Sequence, residues 1–265
     1  EGIGLCLSGG GYRAMIFHLG ALWRLNEVGY LKQINRISSV SGGSITAAVL
    51  GLHWHQLNFD SNGVSQSFID QCVKPVRTLA GITIDRRSII KGMLGPGSIN
   101  KRVIDAYRKY LFSNTTLQDL PDTPRFVINA TNVQSGVLFR FSKPYIWDYR
   151  VGRIDKPKLQ IAEAVAASSA CPPFLSPAVF HFNESDFAPN SGQDLQRPPF
   201  TTKIYLTDGG VYDNLGLESV WKRYQTILVS DGGGRMKPQA RPASTWLRHA
   251  YRVYDLLQRQ IRSLR

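Results

Sequence analysis

The chain has 265 residues, 43% of them hydrophobic, which is enough to bury the core of one sizeable domain. It contains no run of eighteen or more apolar residues, and its first strand begins too early to leave room for a signal peptide, so no membrane span or secretory leader is expected. Thirty-two basic against nineteen acidic residues give a net charge of +13, which favours phosphate-rich surfaces; no recognition helix, zinc finger or aromatic RNA-binding block accompanies the charge, so nucleic acid is not expected as a partner.

The first predicted strand is Gly2-Ile3-Gly4-Leu5-Cys6-Leu7. It runs into Ser8-Gly9-Gly10-Gly11-Tyr12-Arg13, after which Ala14, Phe17, Leu22 and Leu25 set a helical spacing over Gly11 to Asn26. Three successive glycines expose backbone amides at a helix N-terminus, where anions are favoured. A nucleotide phosphate is a poor fit, because the loop lacks the Gly-Lys-Ser/Thr ending of a Walker loop and the last glycine of a dinucleotide fingerprint. The oxyanion of a tetrahedral intermediate is the alternative, and one amide aimed at it is worth about 3 kcal/mol in the transition state.

Residues 34 to 40 predict a second strand, followed at once by Ser41-Gly42-Gly43 and a helix from Gly42 to Gln56. A strand that turns sharply into a helix presents a serine hydroxyl at the bend, the geometry of an activated nucleophile. The usual pattern is G-x-S-x-G; Ser39 takes the first glycine position here, a substitution that small size tolerates. Parallel packing of the first two strands would bring Ser41 beside the glycine loop.

Residues 58 to 100 read as an insertion of loops around a short helix, ending in the turn-rich Gly92-Met93-Leu94-Gly95-Pro96-Gly97, with cover over the active site as one candidate role. Residues 125 to 130 predict a third strand, and the polar, proline-containing stretch 181 to 202 a mobile loop. Lys203 to Thr207 predicts a strand that delivers Asp208-Gly209-Gly210 at its C-terminal end, where open parallel sheets bind ligands. None of the five histidines follows a strand in the manner of a catalytic histidine, so a Ser-Asp pair is the economical arrangement. A helix is expected over Asp213 to Arg223 and a fifth strand over 226 to 230; Asp231-Gly232-Gly233-Gly234 behind that strand is, by local pattern, as suitable as Asp208. In the C-terminal stretch Ala250, Val253, Tyr254, Leu257 and Ile261 share one helical face amid arginines, a face expected on the sheet in preference to lipid.

Ser8-Gly9-Gly10-Gly11-Tyr12-Arg13, then Ser39-Val40-Ser41-Gly42-Gly43, then Asp208-Gly209-Gly210 with Asp213-Asn214-Leu215-Gly216 behind it, resemble in order and spacing the catalytic blocks of patatin-like phospholipases. Ala164 to Phe174 resembles the small-residue helix and proline turn that precede the catalytic aspartate in that family. The resemblance covers roughly residues 2 to 235. It implies a three-layer α/β/α fold with a central, mostly parallel sheet in one catalytic domain. It also implies a lipid acyl hydrolase of phospholipase A or lysophospholipase type, with Ser41 as nucleophile, Asp208 as base and the Gly10 and Gly11 amides as oxyanion hole. Arg13, which would meet substrate phosphate, joins Gly9 and Gly42 among the substrate-binding residues. The Asp208 continuation through Asp213-Asn214 is what favours it over Asp231.

Three scattered cysteines argue against a disulfide framework and for a reducing compartment, and Cys171 has neither a glycine elbow nor a histidine partner to make it a nucleophile. No metal-ligand spacing occurs, and neither metal nor cofactor is expected. The expected partners are a phospholipid or lysophospholipid substrate and an anionic membrane surface touched peripherally from the cytoplasmic side. Because position 1 is glutamate, the chain is expected to be a piece or processed product of a longer protein.

Overall fold

In the computed structural model, which describes residues 2–82, 99–173, 175–234, 236–242 and 244–263, strand β1 (Ile3–Leu7) runs parallel to β2 (Ile34–Val40) on one side and to the last strand, Thr226–Ser230, on the other. Between β1 and β2 lies α1 (Gly11–Glu27), whose buried Ala14, Met15, His18, Leu19 and Leu22 recur at helical spacing; it stops at Val28-Gly29, where Gly29 takes φ 73°. Helix α2 (Gly42–Leu52) is buried on every side, as its run of Gly, Ala, Val, Ile and Leu requires. The helix expected to reach Gln56 breaks at His53 and ends in a 3-10 turn, Trp54–Gln56.

Of the expected insertion, Gly92 to Gly97 lies outside the described residues. The described part before it forms a bridge from Phe59 to Ser65, a π-helical turn over Ile69–Val73 and α3 (Lys74–Gly81). Its Phe68, Val76 and Leu79 are fully buried in the main core, so this part packs on the helical layer instead of covering the site. Helix α4 (Ile99–Tyr107) follows, then β3 (Arg125–Asn132), parallel to β2.

From β3 onward the sheet turns antiparallel. A meander of β4 (Val137–Phe141), β5 (Tyr145–Asp148) and β6 (Gly152–Asp155) extends it, α5 (Ile161–Ser168) returns across β3, and β7 (Ala178–His181) pairs antiparallel with β8 (Lys203–Asp208). The sheet is therefore mixed, not mostly parallel: the parallel pairings are confined to the last strand, β1, β2 and β3. Segment 181–202 is not free of the body, since Ala188 and Gln193 donate backbone hydrogen bonds to Arg153 and Tyr149, and Arg150 pairs with Asp194 at 2.6 Å.

A four-residue helix α6 (Gly210–Asp213) follows β8. The helix expected over Asp213 to Arg223 does not form, because Gly216 adopts φ 70° and Glu218 N donates to the Asp213 carboxylate, turning the chain twice. Leu215, Leu217 and Val220 still bury their side chains, with Cys6, on the sheet face opposite α1 and α2, which makes the three layers. After β9 (Thr226–Ser230), the final helix α7 (Trp246–Ser263) lies over α6, not on the sheet.

Candidate active site

Strands β2 and β8 share one edge of β3 and meet head-on there, Val40 opposite Asn129 and Asp208 opposite the next residue, Ala130. β8 thus delivers Asp208 from the direction opposite to that expected of a parallel strand, and the residue after Val40 is Ser41. Ser41 and Asp208 thus come to one place and line the same cavity. Ser41 has φ 52°, a left-handed conformation that non-glycine residues rarely adopt and that marks a sharp strand-to-helix bend. That bend is possible because the helix starts against bare backbone: a Cβ on Gly42 would stand 2.1 Å from the Gly11 carbonyl oxygen, and one on Gly43 2.6 Å from that of Leu7. Ser39, in the usual glycine position, is buried and donates to Val127 O at 3.3 Å.

The bend is fastened from below by Ser168 at the end of α5. Its hydroxyl accepts the Ser41 amide at 2.9 Å, donates to Asn129 O at 2.6 Å and touches the Ser44 hydroxyl at 2.9 Å. The same turn holds the aspartate, as Asp208 N donates to Ala170 O at 2.9 Å and Gly209 N to Ser168 O at 3.2 Å. Asn129 completes the floor: its amide donates to Ser38 Oγ and Ser39 O, and it accepts from Ser219.

Asp208 is only 7% exposed, and burial pushes its carboxyl up to about 6 against the opposing influence of the Ser41 side chain and of the Gly210 amide, which donates to it at 2.7 Å. Desolvation thus wins, so this aspartate sits nearer neutrality than an ordinary one at about 3.9. Asp231 is placed elsewhere: its carboxylate caps Gly233 N at 2.8 Å and faces the Ser8 hydroxyl at 3.4 Å.

The glycine loop packs against the bend, with the Cβ position of Gly9 3.3 Å from the Ser41 Cβ. Gly10 (φ 144°) and Gly11 (φ 65°) use backbone open only to glycine, and as the cap and first residue of α1 their amides have no carbonyl of the helix to meet. The Gly9 amide is already engaged by Asn214 O at 3.0 Å. Beneath the loop lies a group with no role in the sequence reading. Buried His18 reaches Ser8 O with Nε2 at 2.9 Å and the Ser230 hydroxyl with Nδ1 at 2.8 Å, and burial lowers its pKa. A donor to Ser8 O and an acceptor at Nδ1 is the neutral ring, which suits that shift.

These groups open into a cavity of about 470 Å³, lined by the glycine loop, Arg13, Ser41, Gly42 and Asp208, with Ile45, Tyr107 and Leu175 as apolar wall and Tyr251, Tyr254 and Arg259 from α7. Arg13 is exposed at its rim, and its Nε donates to Gly232 O at 3.2 Å. Cys171 also lines the cavity, but burial and then the Asp208 charge push its thiol up to about 11, leaving it protonated near neutral pH.

The family described as patatin-like phospholipase matches residues 5–221 of this chain. Among solved structures, human GIVD cytosolic phospholipase A2 is similar with a TM-score of 0.55 at 13% identity, over 83% of this chain and 44% of that one. VipD from Legionella pneumophila aligns with 19% identity over 81% of this chain and 47% of its own, at a TM-score of 0.40. This chain thus spans under half the length of either structure. No curated protein sequence matches it.

Proposed function

This chain belongs to the patatin-like phospholipase family, and we propose that it is a serine lipid acyl hydrolase of phospholipase A or lysophospholipase type. The observation that carries the reading is that the meeting of β2 and β8 brings Ser41 and Asp208 together on one cavity, beside the glycine loop.

Asp208 takes the proton of Ser41 as its oxygen attacks the ester carbonyl carbon. The carbonyl oxygen becomes an oxyanion held by the Gly10 and Gly11 amides. Collapse breaks the ester bond, and the alcohol leaves with the proton from Asp208. Water, deprotonated by the same carboxylate, then attacks the acyl-Ser41 ester; the acyl–oxygen bond breaks, Asp208 returns the proton to the Ser41 oxygen, and the fatty acid is released. The apolar wall of Ile45, Tyr107 and Leu175 suits an acyl chain, and Arg13 at the rim suits a headgroup phosphate. No metal or cofactor enters this scheme.

Fatty-acid release from mixed phospholipid vesicles by the parent protein and by Ser41→Ala tests the reading: the variant is expected to lose all turnover, and equal rates overturn it. Two other readings share the site. A general carboxylesterase or acyltransferase would prefer soluble short-chain esters to vesicles, and an inactive membrane-binding module would bind vesicles without turnover.

A further inference from the structure

Helix α7 is mounted with its polar side inward. Asp255, Gln258 and Arg259 face the cavity together with Tyr251 and Tyr254, whereas Trp246, Val253 and Leu257, at helical spacing of seven and four, are 80%, 40% and 57% exposed. The amphipathic helix of a soluble domain turns its apolar stripe to the core; this one turns it to solvent. A second apolar pair stands near the same rim. Ile16 and Phe17, three and four residues after the rim residue Arg13 on α1, are also exposed.

Charge chooses what covers this face. Arg259 faces the cavity, but Arg248 on α7 is exposed, and so are Lys237 and Arg241 just ahead of the helix. The acid on α7, Asp255, already pairs with Arg259 at 3.1 Å. A second copy of a chain carrying +13 would bring like charge to like, whereas an anionic bilayer supplies phosphates for the arginines and an acyl boundary for Trp246, Val253 and Leu257. No described helix is long and apolar enough to cross that bilayer, so contact is from one side.

We propose that α7 is an interfacial docking helix, which lays Trp246, Val253 and Leu257 into an anionic phospholipid surface and turns the mouth of the Ser41–Asp208 cavity toward it. The purpose of this contact rests on the lipid-hydrolase reading of the cavity; the contact itself is a binding property that needs no turnover.

The test is co-sedimentation with phosphatidylcholine vesicles, with and without phosphatidylserine, in a Ser41→Ala background so that the vesicles stay intact. The parent is expected to bind the phosphatidylserine vesicles, less tightly as salt rises. The double variant Val253→Glu/Leu257→Glu is expected to lose at least about tenfold in binding, and Arg248→Glu to lose several-fold on the phosphatidylserine vesicles alone. With Ser41 intact, these variants are expected to turn over a soluble short-chain ester at the parent rate. Unchanged vesicle binding by the double variant overturns the proposal. So does a parent that ignores both vesicles but elutes as a dimer that the double variant dissociates, which would give the face to a second copy. A parent that binds vesicles as described yet turns over no ester leaves docking standing and removes the hydrolase reading.

Discussion

Ser168 accepts the backbone amide of Ser41 on its hydroxyl oxygen at 2.9 Å, across 127 residues of sequence. Because the turn that follows Ser168 also carries the carbonyl that accepts Asp208 N, one turn sets the positions of both members of the pair.

Ser168→Ala is expected to leave the buried Ser41 amide and Asn129 carbonyl unpaired, at a cost of about 1–3 kcal/mol in unfolding free energy by urea titration. Its kcat should fall by more than KM changes, since the loss is one of alignment. A fall in stability with unchanged kcat would assign Ser168 to packing alone.

On the proposed reading, with Asp208 as the base, its raised carboxyl would give the activity an acid limb. The base works only when ionised, so kcat/KM on a soluble ester is expected to rise with pH through about 6 and to level off above it. A profile that is flat from pH 5 to 8 would remove Asp208 as the base.

The same shift has a stability consequence of opposite use. A carboxyl whose pKa is higher in the folded than in the unfolded chain opposes folding when ionised, and this opposition grows as pH rises from about 4 and is complete above about 6. Asp208→Asn, which can still accept the Gly210 amide, is expected to be inactive yet more stable than the parent at pH 7 by on the order of 2–3 kcal/mol. The difference should shrink to a few tenths of that below pH 4. Thermal unfolding of both proteins at the two pH values measures it.

Arg13 makes a loop contact to Gly232 and also faces the cavity, so its removal is expected to act twice. Arg13→Ala should slow a phospholipid substrate about tenfold more than a neutral glyceride with the same acyl chains, equivalent to about 1.4 kcal/mol. Equal slowing of both would leave only the loop-holding role.

The sequence discloses the parts of the site that depend on backbone. Gly10, Gly11, Gly42 and Gly43 stand where a side chain would collide or the backbone turns left-handed, and such demands are written directly in composition. Residue type discloses less about partners. Ser168 looks like filler in an alanine-rich helix, because its three hydrogen bonds go to residues far away in sequence. Lys203 to Asp208 is legible as a strand but not as one running against β3, since strand composition does not encode direction. The meander over Val137 to Asp155 is not legible in the sequence because β4 is short and almost wholly buried, so it lacks the alternation that marks a half-buried strand. Likewise the spacing in α7 gives an apolar stripe but not the side it faces; only the fold shows that Val253 and Leu257 are exposed while Tyr254 lines the cavity.

The central claim, that Ser41 is a nucleophile activated by Asp208, is tested most directly by labelling the protein with a long-chain alkyl fluorophosphonate and locating the adduct by peptide mass spectrometry. The account predicts one phosphonyl group on Ser41, little or none on Asp208→Asn, and loss of ester turnover in step with labelling. An adduct on another residue with turnover abolished, or full turnover by a protein that is phosphonylated on Ser41, would contradict it.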